Sequence, residues 1–398
     1  MTTLYQYVKN IGHADFLQQP LNEVDYVILT ELVYLTLDDY ISESFDVEID
    51  GRTIQDFYDE FSLSQKEIQQ DNRFVVSSER LKLAKEVAYT PRYRDLKLFG
   101  FHSKIDKTSE MQFAAATFYS ELLDLLIVIF RGTDDTLIGW KEDFNMSYQK
   151  RVPAQLASDL YLQQIVTRYP NSQLVVTGHS KGGNLAIYAS SKLNERQRAL
   201  LQAVYSFDGP GFHHDFLASE GYLAIESRIH FYIPQDSVVG QILYRTVDPV
   251  IVEAKGYSLM QHIPETWEVD KVSFKRAAEV TTMSERLYQT FGDWIAKSDS
   301  AELKEFFETV FQLIESTGVE SMNDITRNFL GFIWEAQRAY TQIEGESSEI
   351  IAERLSKLKE IFNQTSEPTT TFDFIQEVQA KVQRVVDNVA NRLNSEEK

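Results

Sequence analysis

The stretch Leu174-Val-Val-Thr-Gly-His-Ser-Lys-Gly-Gly-Asn184 decides the fold. Leu174 to Thr177 has strand character, Gly178-His179-Ser180-Lys181-Gly182 has the G-x-S-x-G spacing, and Asn184 onward reads as helix. Strand, sharp turn and helix in that order predict a nucleophile elbow, with the serine raised at the end of a strand. The serine of such a turn occupies a strained backbone position, and a Cβ two residues before or after it would collide across the turn. Gly178 and Gly182 stand at those two places. The pentapeptide alone recurs by chance; the strand before it and the helix after it are the context the motif requires.

Upstream, Pro153 opens a helix with Ala157, Leu160, Tyr161 and Ile165 on one face, closed by Pro170 and Asn171. Before it, Phe113–Tyr119 and Leu125–Phe130 are two β-rich runs joined by a short polar connection, Ser120-Glu121, which predicts neighbouring strands. The second run is apolar on both faces, as a strand covered on both sides must be. It ends in Phe130-Arg-Gly-Thr-Asp134. An elbow serine uses the amide of the residue after it, here Lys181, and a second backbone donor from the loop after a neighbouring strand. Gly132-Thr133 is placed to supply that donor. The sheet is expected to begin after Met111, and the residues before it to be mostly helical, with Asn22 capping a helix in company with Asp25. His13 and His102 read as surface or packing histidines.

Downstream, Ala203–Phe207 stops at Asp208-Gly-Pro-Gly211, and Arg228–Ile233 stops at Pro234-Gln-Asp236. Strands alternating with helices, with polar residues at the strand ends, make an open α/β sheet whose site lies at the carboxyl edge. A serine hydroxyl needs a base, and the base an acid, in the chain order Ser, Asp or Glu, His. Of the histidines after Ser180, His230 falls within a predicted strand, and His213 and His214 precede the strand that bears Asp236. His262 remains as the base. Asp236 is the expected acid, and Asp208 is its rival because it also ends a strand.

Phe130-Arg-Gly-Thr133 with Trp140 and Asp143, Gly178-His-Ser-Lys-Gly-Gly183, Asp236 with Val238, and His262 with Pro264, Glu265 and Trp267 resemble the successive landmarks of the class 3 lipases. More closely, the chain resembles a bacterial branch of uncharacterised α/β hydrolases related to them, over about residues 20 to 270. The resemblance implies ester hydrolysis, with Ser180 as nucleophile, Asp236 as acid, His262 as base, and Thr133 and Lys181 as oxyanion donors. It implies an α/β-hydrolase fold with a mostly parallel central sheet and a helical N-terminal region. Two positions depart from the lipase pattern: Lys181 replaces an apolar residue, and Asp208-Gly-Pro-Gly211 replaces Phe-Gly-x-Pro. The lysine directs attention to a nearby carboxylate, with Asp134, Asp135 and Asp208 as candidates, or to an anionic group on the substrate.

The chain has 398 residues, which fits a catalytic domain over 1–270 and a helical C-terminal region over 271–398. Five long helices are expected in that extension: 284–297, 300–317, 324–340, 348–362 and 372–393. The last carries the stripe Phe374, Val378, Val382, Val385, Val386 and Val389, expected to pack against the catalytic domain or a second copy of the chain in a homo-oligomer. With 39 basic and 60 acidic residues the net charge is −21, which argues against nucleic acid and anionic membrane surfaces as partners. The absence of cysteine excludes disulfides, thiolate metal sites and cysteine nucleophiles, and fits a cytoplasmic protein. No signal peptide is read at the amino terminus, and no stretch approaches the roughly 18 apolar residues of a membrane span. The expected partner is a small-molecule or lipid ester, with no metal or cofactor. A transacylase or thioesterase with the same residues, and a non-catalytic helical scaffold, stand as the alternatives.

Overall fold

The computed structural model describes residues 2–68, 77–134, 136–319 and the isolated positions 353, 356, 360 and 361. Four helices of eight or more residues lead: α1 Leu4–Ile11, α2 Glu23–Leu32, α3 Ile54–Ile68 and α4 Ser78–Tyr89. Asn22 caps α2 as expected, its side chain accepting from the Val24 amide at 2.9 Å while Asp25 accepts from the Asn22 amide at 2.9 Å. The Asp25 carboxylate is itself buried against Arg92 at 2.6 Å, tying α2 to the segment after α4.

The first 110 residues are less helical than the sequence suggests. Arg52–Thr53 forms β1, and Lys97–Asp106 forms β2, which pairs antiparallel with β3, Met111–Ser120. The sheet therefore begins before Met111. Gly100, at φ +63, and a register shift between Phe99 and His102 interrupt the period-2 alternation that would have marked β2 as a strand. His102 bonds the Glu43 carbonyl at 2.8 Å and stacks on Phe45, and His13 is exposed, which are packing and surface roles.

The sheet continues through β4 Leu125–Phe130, β5 Gln173–His179, β6 Leu201–Phe207, β7 Ile229–Pro234 and β8 Val250–Val252, all eight strands lying side by side in chain order. β1 to β4 are antiparallel neighbours, and β4 to β8 are parallel. Three helices flank the middle of the sheet: α5 Leu137–Asn145, α6 Pro153–Arg168 and α7 Lys181–Ser191. Parallel strands in simple chain order send their crossovers to one face, because such connections share one hand. The other face must be covered by something else, and here the N-terminal helices cover it. The alternation of β4 records both faces: Ile127 and Ile129 join Val27, Ile28, Leu83 and Val87, whereas Leu126, Val128 and Phe130 join Tyr161, Leu162, Ile165 and Leu185. This is the α/β-hydrolase fold. On α6, Ala157, Tyr161 and Ile165 turn to the core, but Leu160 is exposed; Ala154 and Ser158 complete the buried face instead.

Beyond the sheet come α8 Thr282–Lys297 and α9 Ser300–Ser316, close to the first two helices expected there. The helices expected over 324–340, 348–362 and 372–393, with the stripe from Phe374 to Val389, lie outside the described residues apart from the four isolated positions. Among the described residues, no helix is long and apolar enough to cross a membrane.

Candidate active site

Ser180 follows β5 at φ 57 and ψ −134, a conformation that costs a residue with a Cβ of the order of 1–3 kcal/mol and persists where the surroundings enforce it. The enforcement is local. A Cβ on Gly178 would strike the backbone of Gly182, and a Cβ on Gly182 would strike the Phe130 carbonyl, so both glycines are required for the turn to close against β4. The Ser180 amide donates to the Phe207 carbonyl at 2.9 Å, which pins the elbow to the end of β6. The serine hydroxyl makes no capping bond to α7.

The residue after β6 is Asp208, wholly buried and also left-handed at φ 47. Its Oδ2 lies 2.6 Å from His262 Nδ1. Its Oδ1 accepts from Ser237 Oγ at 2.5 Å and from the Gly240 amide at 3.1 Å. His262 ends a short 3-10 turn, Ser258–His262. With Nδ1 turned to Asp208, Nε2 is the ring nitrogen that faces away from that carboxylate.

His179, the residue before Ser180, holds the backbone of His262. Its Nε2 lies 2.7 Å from the His262 carbonyl, so Nε2 carries the proton and Nδ1 accepts from the Tyr34 hydroxyl at 3.1 Å. The Tyr34 oxygen in turn accepts from the Gly132 amide at 3.1 Å. Burial, with His262 and Arg80 alongside, pushes the His179 imidazole well below its ordinary pKa, so it stays neutral and keeps this tautomer.

Asp236, the acid expected from sequence, is not the residue against His262. Its Oδ2 accepts from the Ser258 amide at 2.6 Å and its Oδ1 from Thr281 Oγ1 at 2.6 Å. Both aspartates end parallel strands, but β6 is the immediate neighbour of β5 and β7 is one strand further out, so the strand-end nearest the serine belongs to Asp208.

The loop Arg131-Gly132-Thr133 lies against the elbow, close enough that a Cβ on Gly132 would come within 2.9 Å of Ser180 Cβ. Thr133 Oγ1 donates to Asp143, and Lys181 opens α7 directly after the serine. The Lys181 side chain turns away into the protein. Its Nζ donates to the Gln112 carbonyl at 3.0 Å, to Gln112 Oε1 at 2.7 Å and to Glu142 Oε2 at 2.9 Å, with Asp143 at 3.7 Å. Burial lowers its pKa, but Glu142 and Asp143 more than offset this and hold the ammonium above its ordinary value. The pairing with a carboxylate expected from sequence is present, but with Glu142 and Asp143 in place of Asp134 or Asp208; Asp135 lies outside the described residues. Among the described residues no group of His, Asp and Glu is arranged to hold a metal ion.

Residues 87–312, more than half of the chain and spanning Ser180, Asp208 and His262, match the family model described as Mbeg1-like. The chain belongs to the Mbeg1-like family. Among solved structures, this Mbeg1-like chain is similar to a Rhizomucor miehei lipase–propeptide complex at 14% identity and TM-score 0.36, over 57% of this chain and 65% of that one. It thus spans just under two thirds of that lipase chain. It is also similar to a lipase from Rhizopus microsporus var. chinensis, at 14% identity and TM-score 0.38, over 63% of this chain and 86% of the other. A Penicillium cyclopium mutant protein is similar at 11% identity and TM-score 0.37, over 63% and 83%. No curated protein matches the sequence.

Four residues of the Mbeg1-like site escaped sequence reasoning: Tyr34, Glu142, Ser237 and Gly240. Tyr34 stands 145 positions from His179, so no local pattern announces it. Gly240 had a readable signal, since it is a lone glycine after a strand end; a Cβ there would fall 2.5 Å from Asp208 Oδ1.

Proposed function

We propose that the protein is a serine hydrolase cleaving carboxylic esters through an acyl-enzyme on Ser180. The observation that carries this reading is the 2.6 Å contact of His262 Nδ1 with the buried Asp208, beside a serine at φ 57 in a nucleophile elbow. Ser180 Oγ attacks the ester carbonyl while His262 Nε2 takes its proton, and Asp208 orients and stabilises the imidazolium. Negative charge on the carbonyl oxygen is met by the amides of Lys181 and Thr133. As the C–O bond to the alcohol breaks, His262 returns the proton to the leaving oxygen. Water, deprotonated by the same nitrogen, then releases the acid and restores the serine. Neither a metal nor a cofactor enters these steps.

Thr133 Oγ1 on Asp143 supports the oxyanion assignment, because it fixes the orientation of the loop beside the serine. The test is a fluorophosphonate label followed by nitrophenyl esters of increasing chain length. Labelling and turnover that both vanish in a folded Ser180→Ala variant bear the reading out; full labelling of that variant overturns it.

A further inference from the structure

α8 begins where the residues of the sheet edge end, and its first turns face the segment after β7 with one stripe of side chains. Thr281 caps the helix, its Oγ1 accepting from the Ser284 amide at 3.2 Å. The same hydroxyl donates to Asp236 Oδ1 at 2.6 Å. One turn on, the buried Ser284 Oγ donates to the Ser237 carbonyl at 2.7 Å and accepts from Gln241 Nε2 at 2.9 Å. Tyr288 lies under the Arg245 guanidinium at 5.1 Å, and the Gly292 carbonyl accepts from the Tyr244 hydroxyl at 3.0 Å. The spacing 281, 284, 288, 292 is that of one helix face, so the helix grips residues 235–245 along its length.

That segment serves both partners of the acid–base pair. Ser237 Oγ and the Gly240 amide hold one oxygen of Asp208, which leaves the other aimed at His262. On the opposite side, Asp236 Oδ2 accepts from the amide of Ser258, the residue that starts the His262 turn and sits at φ 52. A non-glycine residue in that conformation persists only where its surroundings determine it. The Asp236 amide also donates to Gln261 Oε1 at 2.9 Å, one residue before His262. One short turn therefore carries the support of the base on Asp236 and of the acid on the next residue, Ser237, and the start of α8 holds the turn.

We propose that Asp236 and Thr281 are positioning residues for the Asp208–His262 pair, with α8 bracing the acid turn; this rests on the hydrolase reading above. The physical reason is that reactive geometry tolerates little displacement: a shift of about 1 Å can cost about 10²-fold in rate. Substrate does not meet Thr281 in this scheme, so the brace acts on kcat and leaves KM alone.

The experiment uses the full chain. Fluorophosphonate labelling that is lost in Ser180→Ala is established first; if the wild type is not labelled there, the hydrolase reading fails, and the result says so independently of Thr281. In a labelled wild-type background, Thr281→Val is expected to lower kcat for a nitrophenyl ester about 10-fold with KM within twofold, and Thr281→Ser to restore it. Wild-type kcat in folded Thr281→Val, a loss confined to KM, or a loss that Thr281→Ser shares overturns the proposal. Should Thr281→Val fail to fold, Ser284→Ala, which keeps the Thr281 cap on the Ser284 backbone amide, is read by the same criteria.

Discussion

Oδ2 of Asp208 lies 2.6 Å from Nδ1 of His262, while the carboxylate of Asp236 spends both of its oxygens on Ser258 and Thr281. The two acids therefore differ in kind. Asp208→Asn presents an amide that favours the wrong imidazole tautomer, and turnover is expected to fall by about 10⁴. Asp236→Asn removes support at one step's distance and is expected to cost only about 10-fold in kcat. Steady-state kinetics of the two folded variants decides the matter; the opposite ranking would return the acid role to Asp236.

His179 links pH to stability. Its imidazole is held well below the ordinary value of about 6.5 by burial. The unfolded chain thus takes up a proton at this residue below about pH 6.5 that the folded protein refuses. Stability is fully present above that pH and is lost as pH falls, by up to about 1.4 kcal/mol per unit. His179→Gln keeps an amide donor for the His262 carbonyl but has no proton to gain. Chemical denaturation at pH 7 and pH 5 should show a shallower loss for this variant than for the wild type, and equal slopes would remove His179 as the cause.

The elbow was legible because it is written in local order. Gly178, Ser180 and Gly182 carry their own geometric reason, and His262 followed from the position of the remaining histidines. The carboxylate that touches His262 was not legible, because Asp208 and Asp236 both follow parallel strands and both satisfy the order Ser, Asp, His. What separates them is lateral: the Ser180 amide bonds the Phe207 carbonyl, so the residue after Phe207 is alongside Ser180. Sequence spacing holds no information on lateral strand order. β2 was missed for a different reason: the bend at Gly100 breaks the alternation that identifies a strand.

The oxyanion loop gives a third prediction. Thr133→Pro removes the amide proposed to meet the developing charge, and losing one such donor typically costs about 10² to 10³ in kcat, or about 2.7 to 4 kcal/mol. Thr133→Val keeps the amide and loses only the bond to Asp143. A proline variant that folds, as judged by circular dichroism, and turns over like the valine variant would show that the loop does not bind the oxyanion.

Lys181 is the position at which this elbow departs most from an apolar one, and its side chain is fully buried with three hydrogen bonds on Gln112 and Glu142. A cation at a helix N-terminus is disfavoured by the dipole by about 0.3 to 1 kcal/mol. Glu142, equally buried, supplies the compensating charge, and its other oxygen accepts from the Ala154 amide at 2.8 Å, so the pair joins α5, the start of α6 and the elbow. Lys181→Met preserves length and apolar volume but leaves Glu142 without its cation. Removing one partner of a buried pair typically costs about 3 to 5 kcal/mol. Because Nζ is turned away from the serine, the ratio of kcat/KM for neutral and anionic esters should not move. Urea denaturation and a matched ester pair read the two quantities separately. Near-normal stability with a loss confined to anionic esters would make Lys181 a substrate-binding residue instead.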